Sequence, residues 1–130
     1  MLDFDNTVDE YADWACVMPR HYAGGGITLT IVWSAVPTVN DVSWACQIRR
    51  EEDDSNQITG DFATAVVASA STTAGTARNL TYKTLAMTDG AQMDSVAVGE
   101  AFTLRIYRDI SVTTTVIGDA ELHKIEVQET

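Results

Sequence analysis

The sequence predicts an all-β fold, an antiparallel sandwich or barrel of short strands, and three observations lead to this prediction. Apolar and polar residues alternate in several segments, these segments recur at short intervals, and clusters of Gly, Pro, Asn, Asp and Ser separate them. Alternation with period two is typical of strands with one buried face, and the clusters are typical of turns. The chain has 130 residues, 45% of them hydrophobic, so it fits one domain with a substantial core.

The clearest strand is predicted over residues 26–35, where every second residue is large and apolar: Ile27, Leu29, Ile31 and Trp33. Similar alternation predicts strands over 11–18, 42–50 and 100–108. On these three strands the residues predicted to face inward are Trp14, Cys16 and Met18, then Trp44, Cys46 and Ile48, then Phe102, Leu104 and Ile106.

Three further segments complete the predicted strands. One contains Leu80, Tyr82 and Thr84, and the last, over 118–128, contains Leu122, Ile125 and Val127. Alternation breaks near His123 and Lys124, which predicts a bulge or a change of register there. Residues 61–70 are rich in Ala and could form a helix, but their Thr and Val content and the surrounding strands favour a strand.

The first ten residues are predicted to form an arm that precedes the domain at 11–130. Leu2 and Phe4 are apolar among acidic neighbours, so they are candidate contacts with a partner. The alternative, a frayed end that contacts nothing, stays open.

The charge of the chain bears on its partners. With 19 acidic residues against 8 Lys plus Arg, the formal net charge is -11, which should repel phosphate backbones and anionic lipid. We therefore expect no direct binding to nucleic acid and none to a membrane. The N-terminus shows neither the basic start nor the apolar run of a secretory signal, which predicts synthesis in a cytoplasm, where cysteines are reduced.

The tripeptide Trp-Ala-Cys occurs twice, at 14–16 and at 44–46. We interpret Cys16 and Cys46 as free thiols that pack as small hydrophobic residues. A disulfide is conceivable if the two strands are neighbours, although a reducing compartment argues against it. A zinc site would require both cysteines together with His21 and His123, every soft ligand in the chain, and the spacing gives it no support.

No motif of catalysis is present. The chain has no Gly-x-Ser-x-Gly elbow, and the glycines at 24–26 lead into a strand, whereas phosphate-binding loops lead into a helix. The acidic run at 51–54, with Asn56 and Asp61, is interpreted as a solvated loop, and calcium binding is the alternative. We predict no catalytic, cofactor-binding or metal-binding residue, no cofactor, and no enzymatic activity.

The loop before the strand at 26–35 contains a possible recognition patch. Arg20, His21 and Tyr22 lie next to the glycines and are candidate partner contacts. The alternative is a loop held in place by packing of the tyrosine.

Four segments carry a resemblance to a known group: W-x-C-V-M-P-R-H-Y-x-G-G-G-I-T-L-T-I-V-W-S-A, V-S-W-A-C-Q-I-R-R, F-T-L-R-I-Y-R-D and G-D-A-E-L-H-K-I-E-V. In this order they resemble small jelly-roll proteins of tailed bacteriophages, especially aquatic and cyanobacterial ones. That group has a P-x-x-Y-x-G-G loop before its second strand and an R-I-x-R-D strand near its end. The similarity extends from Glu10 to Gln128, and its motifs are structural.

The resemblance implies a single-domain antiparallel β-sandwich of jelly-roll type that acts as a capsid decoration, or cement, protein. Such a protein would sit on the outer capsid surface of the virion and bridge subunits of the major capsid protein, as a homo-oligomer for which a trimer is expected. An alternative is a carbohydrate- or host-surface-binding module of a tail fibre or spike, with Tyr11, Tyr22 and Tyr107 as candidate contacts. A cupin-like enzyme would need a cluster of His and carboxylate ligands, which two scattered histidines do not supply.

Overall fold

The computed structural model describes residues 1–52, 60–111 and 116–130. The strands are β1 (Leu2–Phe4), β2 (Tyr11–Val17), β3 (Ile27–Ala35), β4 (Asp41–Val42), β5 (Trp44–Glu51), β6 (Val66–Val67), β7 (Ser71–Thr72), β8 (Thr81–Met87), β9 (Ala101–Arg108) and β10 (Ala120–Glu129). One 3₁₀ turn, Ala91–Met93, precedes β9. The predicted all-β class is confirmed.

Two four-stranded antiparallel sheets form the body of the protein, and a small two-stranded sheet joins β4 to β7. The first sheet has the strand order β1-β10-β3-β8, and the second has β2-β9-β5-β6. The sheets formed by the described residues do not close into a barrel, because each order ends in edge strands. Five of the strand pairs are nested: β1 pairs with β10, β2 with β9, β3 with β8, β4 with β7, and β5 with β6.

The core lies between the inner faces of the two sheets. Trp33 of the first sheet and Trp44 of the second are both fully buried, with ring centroids 6.2 Å apart. Phe4 meets Trp44 edge-on at 5.3 Å. Since aromatic pairs prefer edge-to-face contacts at such distances, these three rings bind the sheets together at their centre.

The period-two predictions hold for the long strands. Cys46 and Ile48 are completely buried, and Phe102, Leu104 and Ile106 are nearly so. The predicted bulge is also confirmed, because Leu122 pairs with Trp33 and Lys124 with the adjacent Val32, which leaves His123 as an extra residue.

The predicted strand over 61–70 is present only as Val66–Val67. In the segment with Leu80, the buried residues of β8 are Leu85 and Met87, whereas Leu80 and Tyr82 are exposed. Burial alternates along the whole of β8, so Leu85 and Met87 lie on its inner face, and Tyr82 and Thr84 lie on its solvent face.

The N-terminal residues take part in the fold. Leu2–Phe4 forms β1, which pairs with Ala120–Leu122, and the side chain of Phe4 is only 2% exposed. The side chain of Phe4 therefore packs in the core of this chain and does not reach a partner. Leu2 keeps an exposed side chain, and its contact with a partner stays a prediction.

Candidate functional site

The outer face of the second sheet carries a group of aromatic and charged side chains that contact one another. Because Trp14 and Leu104 face inward, their neighbours on β2 and β9 face outward. Tyr11 pairs directly with Tyr107 across these strands, and Asp13 pairs with Arg105. We call Tyr11, Asp13, Phe62, Arg105 and Tyr107 the aromatic-cationic face.

Arg105 is held at the centre of this face. Its Nε and one terminal nitrogen each donate a 2.8 Å hydrogen bond to the carboxylate of Asp13. The guanidinium also lies 3.9 Å from the ring centroid of Phe62 and 4.7 Å from that of Tyr11. The hydrogen bond to Asp13 raises the pKa of Arg105, so this group stays cationic and fixed in orientation.

The face continues onto β5 through Arg49. Its guanidinium lies 5.0 Å from the ring centroid of Phe62 and forms a salt bridge of 3.0 Å with Glu51. The hydroxyl of Thr103 donates a 2.7 Å hydrogen bond to the same carboxylate. The half-buried ring of Phe62 therefore contacts two guanidinium groups, those of Arg49 and Arg105.

Tyr11 and Tyr107 form the other end of the face. Their ring centroids are 5.2 Å apart with the planes tilted by 55°, and Tyr11 is 52% exposed. Burial, with a smaller effect from Asp109, raises the pKa of Tyr107. Its phenol is therefore neutral at physiological pH, and it can donate or accept a hydrogen bond while the rings offer apolar contact.

A serine, a histidine and a glutamate meet on the first sheet. The hydroxyl of Ser34 donates a 2.6 Å hydrogen bond to Glu121 and lies 2.8 Å from Nε2 of His123. In a catalytic triad the carboxylate accepts a hydrogen bond from the histidine and orients it, whereas the carboxylate of Glu121 accepts a hydrogen bond from the serine hydroxyl. The side chain of Ser34 is also only 1% exposed. This arrangement stabilises the bulge at His123, and its geometry gives no support to nucleophilic catalysis.

The three candidate residues of the glycine loop do not share one surface. Arg20 and His21 are exposed, but Tyr22 is buried. Its hydroxyl donates a 2.7 Å hydrogen bond to Asp89 and accepts one of 2.9 Å from the backbone N–H of Gly26. Tyr22 thus holds the loop, as the alternative interpretation has it, and of the three tyrosines proposed for glycan contact only Tyr11 and Tyr107 come together.

Both cysteines are free thiols. Cys46 is completely buried, and burial raises its pKa far above the usual range. Cys16 is half-buried, and burial raises its pKa as well. Neither thiol has the lowered pKa of a reactive cysteine.

The possible calcium loop lies mostly outside the described residues, as 53–56 fall in the gap at 53–59. At its start, Glu51 pairs with Arg49 and Glu52 with Arg50. In the ranges that the structure describes, no group of three or more His, Cys, Asp or Glu side chains is placed to hold a metal ion.

Sequence reasoning selected Tyr11 and Tyr107 but missed Phe62, Asp13 and Arg105. Alternation alone places Asp13 and Arg105 on outward faces, yet only the pairing of β2 with β9 makes them neighbours. Phe62 lies in the segment whose secondary structure was ambiguous, so no periodic signal assigned its side chain to this face.

Fold and site together define an all-β protein of two antiparallel sheets with a pre-formed aromatic-cationic face. Comparison with protein families, characterised proteins and solved structures gave no match to this chain. Among the described residues, no helix has the length and hydrophobicity needed to cross a membrane.

Proposed function

We propose that this chain is a structural virion protein of a tailed bacteriophage, a jelly-roll capsid decoration protein that binds the outer surface of the assembled head. It bridges subunits of the major capsid protein and has no catalytic role. The sequence resemblance suggests this role, and three features of the molecule support it.

The strand order supports the jelly-roll assignment. The nested pairs β1 with β10, β2 with β9, β3 with β8, β4 with β7, and β5 with β6 are those of one long hairpin, of which eight strands lie in the two main sheets. Eight strands in two sheets with this type of wrapping characterise the jelly roll. Two residues of the motifs that carry the resemblance have structural roles. Tyr22 accepts a hydrogen bond from Gly26 in the glycine loop, and the buried Arg108 donates hydrogen bonds to three backbone carbonyls.

The observation that carries the binding role is the fixed orientation of Arg105. Its pairing with Asp13 and its stacking on Phe62 and Tyr11 hold a long cationic side chain in one geometry before any partner arrives. Tyr and Arg are enriched among the residues that contribute most to protein interfaces, and an ordered side chain loses little entropy on binding. The aromatic-cationic face is therefore the proposed capsid-binding surface.

Charge and multiplicity complete the proposal. A formal net charge of -11 favours solubility before docking and favours docking near basic patches of the shell. A homo-oligomer, for which we propose a trimer, would present several copies of the face and gain avidity.

The test uses phage particles stripped of this protein and reloaded with purified variants. The double variant Tyr11→Ala/Arg105→Ala removes the central arginine of the face and one of the two tyrosines at its end. The control is Tyr82→Ala, which removes an exposed tyrosine from β8 in the other sheet. Thermal unfolding of each free protein shows first that both variants fold.

We expect reloading with the parent or with Tyr82→Ala to raise the temperature at which the heads break, because a ligand of the assembled shell stabilises it. The double variant should leave that temperature at the stripped value. No change with the parent protein would contradict the decoration role, and full activity of the double variant would contradict the assignment of the face.

The adjacent pair Tyr11 and Tyr107 favours a second candidate, a glycan- or host-surface-binding module of a fibre. One exposed ring and one half-buried ring beside a charge pair suit the apolar and hydroxyl faces of a sugar. Binding of the parent protein to host cells or glycans, lost in Tyr107→Ala, with no effect on heads, would favour this candidate.

A further inference from the structure

Strand β10 has one side that is only partly covered. On one side it pairs with β3 along its whole length, from Ala120 to Glu129. On the other side β1 covers only Ala120, Glu121 and Leu122. No other strand of the described residues pairs with the remaining segment, Lys124–Glu129. We call the uncovered side of this segment the open edge.

The ladder to β3 identifies which backbone groups face the open edge. The N–H of Thr130 donates a 3.0 Å hydrogen bond to the carbonyl of Gly26, in the register of the β10–β3 pairing. The backbone groups of successive residues in a strand point to opposite sides, so the N–H and C=O groups of residues 124, 126 and 128 also point to β3. The N–H and C=O groups of Ile125, Val127 and Glu129 therefore point to the open edge.

An apolar groove runs beside the open edge, between β10 and the edge strand β2. It consists of a cleft of about 320 Å³ and a second of about 230 Å³. Cys16 and Val127 line both clefts, which therefore adjoin, and Trp14 and Ile125 line the larger one. Val127 is 46% exposed although its side chain faces the groove. Unpaired backbone groups beside half-exposed apolar side chains are the features of a site for strand addition.

The charges around the groove select the occupant. The carboxylates of Asp3 and Glu10 lie along the adjoining surface, and that of Glu129 lines the smaller cleft and accepts a hydrogen bond from the N–H of Ala23. None of the three pairs with Lys or Arg among the described residues. Lys124 lines the larger cleft and is 3.8 Å from Glu126. A second copy of this chain, with net charge -11, would bring more carboxylates to this surface.

We propose that the open edge and the groove bind one extended segment of another protein, which continues the first sheet in line with β1. The segment carries apolar side chains at alternate positions, which enter the groove beside Val127 and Cys16. Lys or Arg occupies the positions between them and lies on the solvent face of the sheet, where Asp3 and Glu126 also lie. This inference goes beyond the decoration role and does not depend on it, since the aromatic-cationic face lies on the outer side of the other sheet.

The experiment titrates ¹⁵N-labelled protein with an acetylated and amidated heptapeptide, Lys-Val-Lys-Val-Lys-Val-Lys. We expect the amides of Ile125, Val127 and Glu129 to shift and to become protected from exchange, while those of 124, 126 and 128 are protected already. The same peptide with Glu in place of Lys should bind at least about tenfold more weakly, a difference of about 1.4 kcal/mol.

Two matched changes test the backbone hydrogen bonds. Val127→Pro removes the N–H that faces the open edge and leaves the ladder to β3 intact, whereas Val127→Thr keeps this N–H. Binding should be lost in the first and retained in the second. Should Val127→Pro fail to fold, a peptide N-methylated at its valines makes the same test on the parent protein, and binding should be lost.

Three outcomes would overturn the proposal: no binding of the basic peptide, undiminished binding to folded Val127→Pro or of the N-methylated peptide, or shifts confined to the Tyr11–Val17 strand. None of these depends on capsid binding, so failure here is distinguishable from failure of the decoration role.

Discussion

The hydroxyl of Tyr22 lies 2.9 Å from the backbone nitrogen of Gly26, and this hydrogen bond holds the glycine loop against the start of β3. Gly26 has φ +86, and a Cβ built on it would lie 2.3 Å from the carbonyl oxygen of Met87. The motif Tyr-x-Gly-Gly-Gly therefore has a physical reason, because the loop needs both a buried acceptor and a residue without a side chain.

Tyr22→Phe should lower the free energy of unfolding by about 1–3 kcal/mol at neutral pH, since the buried N–H of Gly26 loses its acceptor. Burial and the hydrogen bond to Asp89 raise the pKa of Tyr22 above 10.0. The neutral phenol is thus favoured in the fold, and its contribution is complete below about pH 10 and lost as pH rises through the folded pKa. Denaturant unfolding at pH 7 to 11.5 should show that the free energies of unfolding of Tyr22→Phe and the parent become more similar above pH 10. A difference that stays constant over this range would contradict the prediction.

Gly26→Ala should destabilise the protein much more than Gly24→Ala. Both glycines have positive φ, but a Cβ on Gly24 would meet nothing within 4 Å. The control Gly24→Ala should therefore lower the free energy of unfolding by only about 1–2 kcal/mol, the cost of a side chain on a left-handed backbone. Gly26→Ala should lower it by about 1–3 kcal/mol more, because its Cβ clashes with the carbonyl of Met87. Equal melting temperatures of the two variants would show that the loop relaxes around the clash.

Trp44→Ala should cost about 3–5 kcal/mol of stability, the usual loss for a large aromatic removed from a core. Trp44 is fully buried and contacts Phe4 and Trp33. Trp14→Ala, at a half-buried position, is the control and should cost less. Thermal unfolding compares the stability of both variants with that of the parent, and a melting temperature of Trp44→Ala within a degree or two of the parent would refute the packing described for β5.

Arg108→Lys should cost roughly 3 kcal/mol, whereas Arg105→Lys should cost less than about 1 kcal/mol. Arg108 is 1% exposed and donates hydrogen bonds to the carbonyls of Phe4, Val116 and Gly118, which a single ammonium cannot all reach. Arg105 lies on the same strand, but its bonds are at the surface. If chemical unfolding shows similar losses of free energy of unfolding in the two variants, the hydrogen bonds of Arg108 do not stabilise the contact of β1 with β9.

Thiol labelling of the native protein should proceed in two phases. Cys16 is half-buried and lines the groove, so it should react first, and Cys46 should react only at the rate of unfolding because it is completely buried. Cys16→Ser should abolish the fast phase, and a fast phase that persists in this variant would place Cys46 at the surface.

The alternating residues of a single strand determine which side chains face inward, because successive side chains of an extended chain point to opposite faces. For this reason Trp33, Cys46 and Leu104 were predictable, and so was the extra residue at His123, where alternation breaks. The same argument fails for 61–70, whose small side chains give little preference for a face.

The partner of each strand was decided only by the tertiary structure. Periodicity carries no information about pairing, so Asp13 and Arg105, 92 residues apart, become neighbours only when β2 meets β9. The short β1 likewise leaves part of β10 uncovered, a consequence of which strands meet rather than of their composition. Sequence by itself determined the class of fold and the inward faces, because these follow from local geometry. The aromatic-cationic face and the open edge required the packing of distant strands.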